Sequence, residues 1–145
     1  MATRSLLRKS AKDTTTEMEM SLAAEFWNQV CKHIPDWKAA ENKDVTTAEL
    51  RQNYVHAHGV TLQALGIAGA ALISQKPDHW KESLEGLRNI DWSRKNTDLW
   101  EGRALVYGRL SKARVNVTLT ANLIKKHIDV PLSAEDLALE EQFNS

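Results

Sequence analysis

The sequence is short of several things, and each shortage closes a class of answer. It holds one cysteine, Cys31, among 145 residues. No internal disulfide can brace the fold, and a reducing, cytoplasmic compartment is the expectation. The longest apolar run, Val60 to Ile73 (VTLQALGIAGAALI), has fourteen residues. A bilayer-crossing helix needs about twenty. The run reads as a buried helix, and no membrane association is expected. The basic N-terminus, MATRSLLRKSAKDTTTE, lacks the apolar stretch of a secretory signal.

Catalytic and metal-binding patterns are missing too. CxxC and HExxH do not occur, so the common zinc spacings are absent. Neither GxSxG nor GxxxxGK[ST] occurs, which removes a nucleophile elbow and that type of phosphate-cradling loop. The pairs Cys31-x-His33 and His56-x-His58 are spaced i, i+2. On a helix such side chains point about 200° apart and cannot chelate one ion. The remaining histidines, His79 and His127, add no partner spacing. No metal site, cofactor or catalytic residue is expected from these residues, and they make no case for an enzyme. Five tryptophans, at 27, 37, 80, 92 and 100, read first as packing anchors and second as base-stacking platforms.

Long alternating β-branched runs are also absent, RVNVTLT at 114–120 being the one candidate strand. Helical signals dominate instead. Thr16-x-x-Glu19 and Thr46-x-x-Glu49 have the capping-box pattern. Met18, Leu22, Phe26, Val30 and Ile34 recur every four residues and form one apolar stripe, which Pro35 ends. A polar connection over 36–45, anchored by Trp37, is expected next. A long central helix should then run to about Gln75, with a break near Gly59 as the alternative. A short helix over Pro77–Leu87 and an irregular stretch over 88–97 follow. Another helix starts near Thr97 or Asp98, carries Trp100 and Leu105, and is interrupted by Gly108. Further helices fit Asn116–Ile128 and, after the Ser133-x-x-Asp136 cap, the acidic end to Phe143. The expectation is all-α: a flexible basic segment, 1–15, and one compact helical domain of about five or six helices, 16–145. No internal repeat occurs.

Net charge is zero, but the charges are sorted along the chain. Residues 102–128 carry six bases (Arg103, Arg109, Lys112, Arg114, Lys125 and Lys126) and no acid. Residues 129–145 carry five acids and no base. An acid-free run of this kind can neutralise phosphates and release counterions, giving sequence-independent nucleic-acid affinity. The competing reading is internal: the bases pair with the acidic C-terminal helix, or with Asp91, Asp98 and Glu101.

A resemblance bears on this choice. YVHAHGVTLQALG at 54–66, IDWSRKNTDLWEGRA at 90–104 and GRLSKARVNVTLTANLIK at 108–125 resemble the C-terminal region of the DndB family. These are DNA sulfur modification proteins related to the DGQHR-domain group. TEMEMS at 16–21 and FWNQVCKHIPDW at 26–37 look like the same family, so the resemblance covers about residues 16–140. It implies a bacterial, cytoplasmic accessory domain of a DNA phosphorothioation system, concerned with DNA binding and transcriptional regulation rather than the sulfur chemistry. The family's N-terminal half, with its DGQHR motif, has no counterpart here, which implies a C-terminal domain, a truncated paralogue or a fragment. Where the family pattern has Gly-Gly before the arginine of GR-x-SK, Tyr107 precedes Gly108.

The resulting expectation is that Arg103, Arg109, Lys112 and Arg114 grip DNA phosphates, with Lys125 and Lys126 as outer contacts and Arg94 on the same face. Other phosphorothioation proteins are the expected further partners. The alternative is a protein-interaction or homo-oligomer-forming module without its own DNA binding. A third reading, a nuclease or ATPase, lacks the metal or phosphate site it would need.

Overall fold

The computed structural model of the chain describes residues 17–43 and 45–144. The basic segment and the Thr16 cap lie outside the described residues. Helix α1 (Glu17–His33) has acids in its first turn and Lys32 and His33 in its last, as the helix dipole favours. Its stripe buries Phe26, Val30 and Ile34 but runs out to solvent at Met18, which is 85% exposed.

Pro35 ends α1 and also starts α2 (Pro35–Glu41). Proline is tolerated at a first helical position, where the N–H has no helical acceptor. The connection expected over 36–45 is therefore a helix in its first half. Thr46 caps α3 (Thr47–Asn53), its Oγ1 accepting from the Glu49 N–H at 3.0 Å. The helix does not continue to Gln75 in one piece. Tyr54 turns extended (φ −132°, ψ 151°), and the backbone from Asn53 to Val55 finds other partners. The Val55 N–H donates to Trp92 O at 2.9 Å, and the Arg94 N–H donates to Asn53 O at 3.0 Å. Helix α4 (Gly59–Gln75) then begins at the expected alternative break.

The expected Pro77–Leu87 helix is shorter and tighter: α5 (Trp80–Ser83) passes into a 3₁₀ turn over Leu84–Asn89. Asn96 caps α6 (Thr97–Trp100), accepting from the Leu99 N–H at 3.2 Å. That helix stops before Leu105. Strands β1 (Leu105–Val106) and β2 (Arg109–Leu110) instead form an antiparallel hairpin pairing Leu105 with Leu110 and Val106 with Arg109. Gly108 sits in the hairpin turn rather than interrupting a helix.

The candidate strand RVNVTLT is the start of α7 (Arg114–His127). Val117, Ala121, Ile124 and Ile128 are buried; their helical spacing outweighs β-propensity, which yields to context. Ser133 caps α8 (Ala134–Asn144), its Oγ accepting from the Asp136 N–H at 3.1 Å. The fold is mostly helical, and α4 and α7 make its largest helix–helix contact. Gly86 allows the 3₁₀ turn to abut the end of α7: a Cβ there would lie 1.7 Å from His127 O. Trp80, Trp92 and Trp100 are buried, and Trp92 stacks on Trp100 at 5.7 Å between ring centroids. Trp27 and Trp37 are half-buried against the same core. No helix among the described residues is long and apolar enough to cross a membrane.

Candidate functional site

The fold divides the six bases of the acid-free run. Arg103 is buried and meets the acidic helix α8. Its Nη1 donates to Glu140 Oε2 at 2.9 Å, and its Nη2 donates to Glu140 Oε1 at 2.8 Å. The same Nη1 donates to Leu119 O at 2.8 Å, and the guanidinium lies 4.5 Å from the Phe143 ring centre. Lys126 donates to Glu140 Oε1 at 2.9 Å, and Asn122 Nδ2 donates to Oε2 at 3.3 Å. Lys125 pairs with Asp136 at 3.1 Å. Burial alone would raise the Glu140 pKa. The hydrogen bonds from Arg103 and Lys126, the Arg103 charge and the Asn122 amide outweigh it and hold the carboxyl at about 2. The internal pairing considered for the run thus occurs at Arg103, Lys125 and Lys126.

The other bases gather elsewhere. Arg109, Lys112 and Arg114 are exposed, and Arg94 is half-buried. Among the described residues none of the four forms an ion pair. Arg94 spans two segments: its Nη1 donates to Arg51 O at 3.2 Å and its Nη2 to Gly108 O at 3.4 Å. Lys112 reaches across to the start of α4, where a Cβ added at Gly59 would meet its Cε at 2.7 Å. His58 Nε2 lies 2.6 Å from Arg51 O. Burial lowers the His58 pKa; the hydrogen bond to Arg51 opposes this, and the charges of Arg51, Arg94 and Lys112 add to the lowering. The ring therefore sits in a positive field made by three separate segments.

Two helix ends reinforce that field. Lys112 lies at the start of α4 and Arg114 is the first residue of α7, and neither helix has an acid in its first turn. Among the described residues, the other six helices each have at least one. Helix N-termini carry partial positive charge and favour anions. Here their neighbours are cations, which add to the positive charge of the two ends.

Sequence reasoning missed Arg51 and His58. No local signal marks them, because only the pairing of residues 53–55 with 92–94 brings them to the hairpin. It also placed His56 and His58 on a helix, whereas His58 is extended (φ −111°, ψ 153°). His56 is fully buried. Its Nδ1 accepts from Trp37 Nε1 at 3.1 Å and its Nε2 faces Asp36 Oδ2 at 3.1 Å. Indole nitrogen only donates, so the ring proton resides on Nε2, donating to Asp36. This partly buried network ties the 54–58 break to Asp36 and Trp37 of α2. Among the described residues no three His, Cys, Asp or Glu side chains are placed to hold a metal ion.

A family model described as DndB, DNA-sulfur modification-associated, matches residues 1–131. No curated protein and no solved structure matches the chain. The match spans most of the sequence, and the chain belongs to the DndB family.

Proposed function

We propose that this DndB-family chain is a DNA-contacting, regulatory accessory domain of a DNA sulfur modification system. Arg51, Arg94, Arg109, Lys112 and Arg114 grip the phosphate backbone around the hairpin. The observation that carries the reading is the convergence of Arg51, Arg94 and Lys112 on His58 and the start of α4, with no ion pair to a described acid. Folding gains little from gathering like charges, whereas a phosphate chain neutralises them. Arg103 and Lys125 act here through the fold, anchoring α8 through Glu140 and Asp136. Lys126, 47% exposed beside Glu140, keeps an outer position.

Fluorescence-anisotropy titration with labelled duplex DNA at two salt concentrations tests the proposal. Binding that weakens steeply with salt supports it. Absence of binding at low salt removes it in favour of a protein-interaction module, with other phosphorothioation proteins or a second copy as partner. One feature favours that second reading: Met18 and Met20 stand 85% and 56% exposed on α1. Sedimentation at high concentration tests self-association separately.

A further inference from the structure

Tyr107 is the outermost residue of the β1–β2 hairpin, and it is 93% exposed. An aromatic ring normally buries much of its area, and this one covers nothing. Its backbone is also strained: φ is +52°, followed by Gly108 at +76°. A two-residue turn of this sign suits Asn-Gly or Gly-Gly, and a bulky side chain with positive φ is disfavoured. The conformation persists because it is braced from both sides. The Glu101 carboxylate accepts from the Tyr107 N–H, and from the Gly108 N–H at 3.1 Å. Arg94 Nη2 holds Gly108 O at 3.4 Å. Strain held in this way at an exposed tip directs attention to what the side chain does.

The surroundings of the ring identify its partner. Val106 and Arg109 are cross-strand partners and both exposed, so an apolar and a cationic residue bracket the turn that carries the ring. Arg94 lies behind the turn. Phosphate-binding cations with a projecting aromatic ring are complementary to nucleic acid, in which charged backbone surrounds flat apolar bases. We propose that Tyr107 is a base-contacting finger, which stacks on or wedges between DNA bases while Arg94, Arg109 and Lys112 hold the adjacent phosphates. The inference rests on the DNA-contacting reading above and adds to it the residue that touches bases.

Glycine at this position separates strain from function. Tyr107→Gly removes the ring and relieves the positive φ, so the variant keeps or raises its thermal midpoint. Anisotropy titration of the chain with labelled duplex DNA, at two salt concentrations, compares the wild type, Tyr107→Phe and Tyr107→Gly. Phenylalanine should bind within roughly twofold of the wild type, and glycine about tenfold more weakly. The salt slope should stay unchanged for both, because stacking releases no counterion. In parallel, duplex DNA carrying 5-iodouracil is irradiated in complex with the chain, and the cross-linked peptide should contain Tyr107. Wild-type affinity in the glycine variant, a loss of affinity accompanied by a flatter salt slope, or cross-links confined to other residues would each overturn the finger. If the wild type fails to bind at low salt, the DNA reading itself fails, and the finger with it.

Discussion

Arg103 and Glu140 face each other through two near-parallel hydrogen bonds of 2.9 and 2.8 Å, both side chains buried, 37 residues apart in sequence. This bidentate pair joins the acid-free run to the acidic tail and clamps α8 onto α7. It also separates Arg103 structurally from Arg109, Lys112 and Arg114, with which the charge pattern groups it.

Breaking that pair should cost stability. Glu140→Gln leaves Arg103 buried without its counter-charge, a change worth about 3 kcal/mol. Urea unfolding should show a lower midpoint with an unchanged slope. The carboxyl is held at about 2 against an ordinary 4.5. Its contribution is therefore present above about pH 4.5 and lost as pH falls towards 2. The wild type should lose stability over that window by more than the Glu140→Gln variant; equal losses would exclude Glu140 as the source.

The two groups of bases should separate in a salt titration. Arg109→Ala with Lys112→Ala should weaken DNA binding and reduce the slope of log affinity against log salt by roughly two. The thermal midpoint should barely move, since neither residue has a described ion pair. An unchanged slope would remove both residues from the interface.

His56 should make the fold sensitive to mild acid. Burial lowers its pKa, against the opposing hydrogen bond and charge of Asp36. A proton on Nδ1 would also point at the Trp37 indole N–H. The unfolded chain then takes up protons more readily than the folded one, so stability falls as pH drops below about 6.5. His33 and His58 are shifted in the same direction. Denaturant midpoints from about pH 7.5 to 5.5 should therefore fall in the wild type. The fall should be smaller in His56→Gln, and an identical fall would clear His56 of the effect.

Gly86 should tolerate no side chain. Alanine there would place its Cβ 1.7 Å from His127 O, so either the 3₁₀ turn or the end of α7 must shift. Overpacking of this kind costs about 1–3 kcal/mol. A thermal midpoint at the wild-type value for Gly86→Ala would show that the two segments separate freely.

The sequence by itself determined the helical class, the buried stripe of α1, the caps at Thr46 and Ser133, the buried run of α4 and the sorting of charge. These follow from neighbours a few residues apart, through spacing, capping and composition. It left open whether the chain breaks near Gly59, and it missed the hairpin, because the pairing of residues 53–55 with 92–94 and the turn at Tyr107 depend on partners distant in sequence or on strain held by Glu101 and Arg94. Only the tertiary structure decided which bases meet carboxylates. Arg103 and Arg109 are alike in sequence, each an arginine in the same acid-free run. One is turned inward onto Glu140 and the other outward on the hairpin, because an ion pair depends on distance in space, which chain position does not supply.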